Sequence, residues 1–138
     1  MEVARREDRS EGAVPPVTLA SIVSIRVAMA PAGKARPRVS RGHAYMPAPY
    51  RKWISEFQSR ARTAYHDALI LVPIALTVCF ETPTGNMRPD ADNAAGSVMD
   101  GLQGILYPND RLIKDLHAYV TQGDDYSITI TARRLGGD

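Results

Sequence analysis

The chain has 138 residues, 44% hydrophobic and 23% charged, which bounds it to one domain with apolar residues enough for a core and excludes a two-domain enzyme or global disorder. It has no apolar run of the roughly 18 residues a membrane span needs, its first residues mix charges of both signs, and its single cysteine, Cys79, leaves no internal disulfide or cysteine-based zinc site. A cytoplasmic protein with no membrane partner is the expectation, and the formal net charge of +2 conceals a division, because residues 34–62 hold eight basic side chains against Glu56 alone while residues 81–125 hold eight acids against Arg88, Arg111 and Lys114. A basic half suits a polyanion and an acidic half a metal cation, since carboxylates alone would repel phosphate.

In chain order, residues 1–16 carry mixed charge and two consecutive prolines and predict a flexible tail ahead of one domain over residues 17–138. Val23, Ile25, Val27 and Met29 alternate with Ser24, Arg26 and Ala28, the period of a half-buried strand. Residues 30–49 follow as a long connection rich in proline and arginine, a length that points to function. Tyr50, Trp53, Ile54, Phe57, Ala61, Ala64, Tyr65 and Ala68 recur at three- and four-residue steps and predict a helix from about Tyr50 to Leu69. Ile74, Leu76, Val78 and Phe80 mark a second strand, and residues 82–89 a loop. A second helix over about Asp92 to Ile105 buries Ala95, Val98, Met99, Leu102 and Ile105. Strands near 113–121 and 126–133, separated by Gln-Gly-Asp-Asp, read as an antiparallel hairpin. The order is β-α-β-α-β-β, an α/β chain of the α+β kind with a small mixed sheet and two helices packed on one face.

The chemistry concentrates in Asp90-Ala-Asp92-Asn93, followed by Asp100 and Asp110. Asp92, Gly96 and Asp100 are four residues apart and share one helix stripe, turned away from the core stripe and expected to face solvent. Asp90 sits at the helix mouth, where the positive end of the dipole tolerates crowded carboxylates. Asp110 joins them only if the following strand folds back beside the helix. Converging carboxylates need a cation, and oxygen ligands without cysteine favour Mg²⁺ or Mn²⁺. Such an ion leaves room for a phosphate oxygen, an arrangement suited to phosphodiester cleavage. Read singly, Asp92 also suits a helix N-cap and Asn109-Asp110 a turn. Lys34, Arg36, Arg38, Arg41 and Arg51, with His43 among them and Tyr45, Tyr50 and Trp53 interleaved, are the candidate DNA contacts. Trp53 and Phe57 lie on the apolar stripe and read as core.

These segments together resemble the RusA-type Holliday-junction resolvases, homodimeric endonucleases of bacteria and their prophages. The resemblance rests on Asp90-Ala-Asp92-Asn93, on Asp100-Gly-Leu102, on Pro-Asn-Asp110-Arg-Leu-Ile113, and upstream on Lys34-Ala-Arg-Pro-Arg38 with Gly42-His-Ala-Tyr45-Met-Pro47. It spans about Ser21 to Arg134. It implies that Asp90, Asp92 and Asp110 are catalytic carboxylates binding Mg²⁺, supported by Asn93 and Asp100. Four-way-junction DNA would be held by a homodimer through Lys34, Arg36, Arg38, Arg41, His43, Arg51 and Arg88. One position departs: where family members often carry a lysine four residues after the second aspartate, this chain has Gly96. Lys114 or Arg111, beside Asp110, is expected to supply the missing charge, with Arg88 the other candidate.

Two other functions use the same residues. A junction- or DNA-binding protein that does not cleave would bind without turnover at any metal concentration. A metal-dependent nucleotide phosphohydrolase would have no use for the basic excess, and its binding would be insensitive to salt.

Overall fold

Strand β4, Ile74–Thr82, buries every second residue from Ile74 to Thr82 while those between stay half-buried, and a strand covered in this way on both sides belongs in the middle of a sheet. The computed structural model, which describes residues 22–136, places it there, so the tail expected over residues 1–16 lies outside the described residues. The four-stranded sheet runs β1-β6-β4-β5, with β1 at Ile22–Val27, β5 at Ile113–Gln122 and β6 at Ser127–Arg134. β5 lies parallel to β4, Leu76 opposite Leu116 and Phe80 opposite Val120. β6 lies antiparallel to both β4 and β1, Val78 opposite Ile130 and Ile25 opposite Ile130.

The expected β5–β6 hairpin is therefore corrected: the two strands flank β4 and never pair. Residues 123–126 carry the chain across the end of β4, where the Gly123 amide donates to the Thr82 carbonyl at 2.9 Å. Side-chain polarity decides the order. β5 is half-polar, with Lys114, Asp115, His117, Tyr119 and Thr121 exposed, and suits an edge; β6, which buries Ser127, Ile128, Ile130 and Ala132, takes the interior position.

Helix α1, Ala48–Ala64, and helix α2, Ala91–Leu102, pack on one face of the sheet. Phe57, Ala61, Ala94, Ala95, Val98 and Leu102 join Ile25, Val27, Leu76, Phe80, Ile128 and Ile130 in one buried cluster. Both helices stop earlier than their apolar spacing suggests, for the same reason. After α1 the backbone turns extended at Tyr65, and Ile70 enters the core with its amide on the Leu106 carbonyl at 2.8 Å. After α2, Ile105, Leu106 and Tyr107 are buried through a tight turn, with the Ile105 and Leu106 amides both 3.0 Å from the Leu102 carbonyl. Core residues can continue a helical spacing after the helix has ended.

Within the long basic connection the chain forms a second, two-stranded ribbon, β2 at Arg38–Ser40 and β3 at His43–Tyr45. Its two-residue turn, Arg41-Gly42, has positive φ at both positions, 53° and 79°, which is the turn that matches ribbon twist and the reason a glycine follows the arginine. Arg38, Arg41 and His43 are exposed on this ribbon.

Candidate active site

Residues 28–34 lead out of β1 as a strap seated on both helices, and side chains from α1 and α2 hold it along its length. Arg60 donates to the Ala28 carbonyl at 2.5 Å, Trp53 Nε1 to the Ala30 carbonyl at 2.9 Å, and Ser97 Oγ to the Ala32 carbonyl. The Lys34 amide donates to Asn93 Oδ1 at 3.0 Å. The opening of the long connection that reads as loop thus becomes a fixed segment, satisfied by side chains where no neighbouring strand exists.

α2 brings the acidic residues to this strap. Asp90 is its N-cap by backbone position; its carboxylate makes no capping bond and is exposed. Asp92, in the first turn and also exposed, accepts the Asn93 amide at 2.9 Å. Neither has a cationic partner among the described residues, and the positive end of the helix is the charge that offsets them. Asp100, two turns on, is held from both sides. Tyr50 of α1 donates its hydroxyl to Oδ2 at 2.9 Å and Lys34 Nζ lies 3.5 Å from Oδ1. Burial raises the Tyr50 hydroxyl well above its ordinary pKa, and the hydrogen bond to Asp100 adds to the rise, so this phenol stays protonated as a donor.

The stripe expected to face solvent is open only at Asp92. Over Gly96 runs the side chain of Lys34: a β-carbon placed on Gly96 would stand 3.0 Å from Lys34 Cδ and 3.4 Å from its Cβ. Lys34, Ala35, Arg36 and Pro37 line a groove of about 530 Å³ together with Met46, Asn93 and Asp100. The Lys34 side chain is 47% exposed, and an ion pair so open to water contributes at most about 1 kcal/mol, so the amine can leave Asp100 at little cost.

Asp110 sits at the other end of α2. It opens the short 3₁₀ turn Asp110–Leu112, and its amide donates to the side chain of Gln103, the C-cap of α2, at 3.3 Å. A twelve-residue helix is roughly 18 Å long, so α2 itself separates Asp110 from Asp90 and Asp92. No three His, Cys, Asp or Glu side chains among the described residues converge closely enough to hold a metal within one chain. Asp90 and Asp92 remain a two-carboxylate set, the number Mg²⁺ commonly takes alongside water and phosphate oxygens. Asp100 and Asp110 both approach Tyr107, whose hydroxyl burial pushes far above its usual range, with the two carboxylates raising it further.

The basic residues divide between the two ends. Lys114 stands exposed at the start of β5, and Arg111 turns its guanidinium onto Asn109 Oδ1 at 3.2 Å, so both belong to the Asp110 end of α2 and not to the space over Gly96. The basic side chain that lies over Gly96 is that of Lys34. Arg88 is exposed in the loop ahead of Asp90, and Arg51 on α1 donates to the Met46 carbonyl at 3.0 Å. Sequence reasoning missed the part Tyr50 plays and the reach of Lys34. The signal for Lys34 lay in Gly96: a glycine in mid-helix on a polar stripe marks a place where another segment crosses.

Among the described residues no helix is long and apolar enough to cross a membrane. Comparison with curated proteins gives no match. A family model described as Endodeoxyribonuclease RusA matches residues 28–133. That span opens on the strap, takes in the arginine ribbon and the α2 carboxylates, and closes near the end of β6, covering most of the chain; the protein belongs to the RusA endodeoxyribonuclease family.

Proposed function

We propose that the protein is a Mg²⁺-dependent endonuclease that resolves four-way DNA junctions by paired phosphodiester hydrolysis in recombination and repair. The observation that carries this reading is the groove of about 530 Å³ lined by Lys34, Arg36, Asn93 and Asp100, with the unpaired Asp90 and Asp92 at the same helix end as Asn93. Positive charge to seat a phosphate lines the groove, and the carboxylates to hold a cation, Asp90 and Asp92, stand on the helix end that carries Asn93.

Hydrolysis of a phosphodiester forms one bond from a water oxygen to phosphorus and breaks one bond to a deoxyribose oxygen, which leaves with a proton. A divalent ion, Mg²⁺ or Mn²⁺, supplies charge against the phosphate and a more acidic water. Asp90 and Asp92 would hold it. Because α2 separates Asp110 from this pair within one chain, Asp110 joins it from the second copy of a two-fold dimer. A two-fold dimer also provides the two symmetric cuts that junction resolution requires. Arg36, Arg38, Arg41, His43 and Arg51 seat the junction arms on their phosphates, which gives affinity and register without reading sequence.

The test is cleavage of a labelled synthetic four-way junction beside a matched linear duplex, with Mg²⁺, with Mn²⁺ and with chelator. Symmetric metal-dependent nicks confined to the junction are expected. Tight junction binding with no cleavage under either metal would make the protein a DNA-binding module instead, and nucleotide binding indifferent to salt would make it a phosphohydrolase. The ribbon gives a separate prediction. The double variant Arg38→Ala/Arg41→Ala is expected to bind the junction roughly tenfold more weakly at low salt and to flatten the log Kobs against log salt plot by about 2, read by fluorescence anisotropy.

A further inference from the structure

We infer that Lys34 is the catalytic cation of this site, the group whose amine meets the charge on the scissile phosphate, and that Gly96 is kept small to let its side chain lie across α2. The inference rests on the nuclease reading and deepens it. Three observations converge on this one residue. Its amide is tied to Asn93, the residue after Asp92, by a 3.0 Å hydrogen bond, so its backbone is fixed beside the metal-binding end of α2. Its side chain then runs over Gly96, where a larger residue would meet Cδ at 3.0 Å. Its amine ends 3.5 Å from Asp100 Oδ1, half exposed in the groove.

Asp100 acts as a resting place for the amine. Tyr50 occupies the other oxygen of that carboxylate and fixes it, while the amine keeps most of its hydrogen-bonding capacity toward solvent. A phosphate entering the groove offers stronger acceptors, and the amine needs only side-chain rotation to reach them. Negative charge on the non-bridging oxygens grows as water bonds to phosphorus, and two carboxylates nearby make that charge costlier; an ammonium donating to those oxygens offsets both effects. Lys34 gives up no proton in doing so. Among the described residues Lys34 alone of the nearby cations is paired with α2: Arg36 lines the same groove without an ion pair, Arg111 is turned onto Asn109, Lys114 stands on β5, and Arg88 forms no ion pair.

Single-turnover cleavage of the four-way junction with Mg²⁺, paired with junction binding in chelator and a thermal melt, tests the assignment. Lys34→Ala is expected to cleave about 100-fold more slowly while binding weakens less than about fivefold and the melting temperature stays put. Adding Gly96→Lys to Lys34→Ala, which returns an amine to the same place from the helix side, is expected to recover at least tenfold of the lost rate. Lys34→Ala that cleaves within about threefold of wild type, or whose loss matches its loss of binding, overturns the assignment, as does a loss that Gly96→Lys leaves unrepaired. A wild-type chain that cuts with neither metal overturns the nuclease reading and the lysine with it, an outcome distinct from a cutting wild type with an equally active variant.

Discussion

Asp92→Asn is expected to cut four-way junctions at least about 1,000-fold more slowly than wild type under single-turnover conditions with Mg²⁺, a barrier increase of some 4 kcal/mol. The substitution keeps the shape and the local structure, because an amide oxygen can still accept the Asn93 amide that Asp92 accepts at 2.9 Å. It removes one of two negative charges at a site where, among the described residues, no third His, Cys, Asp or Glu side chain comes close enough to complete a metal-binding group. Junction binding in chelator should be unchanged or tighter, since one source of repulsion toward phosphate is gone. Cleavage within tenfold of wild type would remove Asp92 from the metal site. Asp110→Asn decides how the third carboxylate enters. If Asp110 joins from the second copy, this variant is as inactive as Asp92→Asn, and mixing the two inactive proteins restores nicking, because a mixed dimer contains one site with neither substitution. A fully active Asp110→Asn protein would leave two carboxylates per site and remove the reason for sharing.

Much of this arrangement is legible in the residues themselves. The alternation in β4, the apolar stripe of α2 and the order of strands and helices follow from periodicity, because burial on one face imposes it. The strand order does not. Gln-Gly-Asp-Asp between two strands suggests a hairpin, and only the greater polarity of β5 relative to β6 reveals that β4 must come between them. The α2 carboxylates are visible as a motif, but their separation from Asp110 is a matter of helix length and direction that spacing along the chain leaves undetermined. The strap is the least legible part. Its order comes from Arg60, Trp53, Ser97 and Asn93, side chains far away in sequence whose hydrogen bonds replace those of a neighbouring strand.

Gly101→Ala is expected to lower stability by about 3 kcal/mol and the melting temperature by roughly 10 °C, measured by thermal and urea unfolding. In an exposed helix the same change stabilises by about 1 kcal/mol, so the sign here rests entirely on packing. The added methyl would stand 2.5 Å from Phe57 Cδ2 and 2.9 Å from Cε2, well inside contact distance. The ring has nowhere to go. Phe57 is fully buried and stacks on Trp53 with centroids 5.1 Å apart, and Trp53 is itself pinned to the Ala30 carbonyl at 2.9 Å. Relief must therefore come from moving α1 away from α2. Those two helices carry Tyr50 and Asp100, whose 2.9 Å hydrogen bond spans the gap and fixes the carboxylate that receives Lys34. Cleavage by Gly101→Ala, measured well below its melting temperature, should accordingly fall by more than the unfolded fraction explains. Adding Phe57→Leu, which makes room for the methyl, should return part of both stability and rate. A Gly101→Ala protein that melts at or above the wild-type temperature would mean that the helices tolerate a wider spacing, and that the close approach of α1 to α2 does not set the geometry of the site.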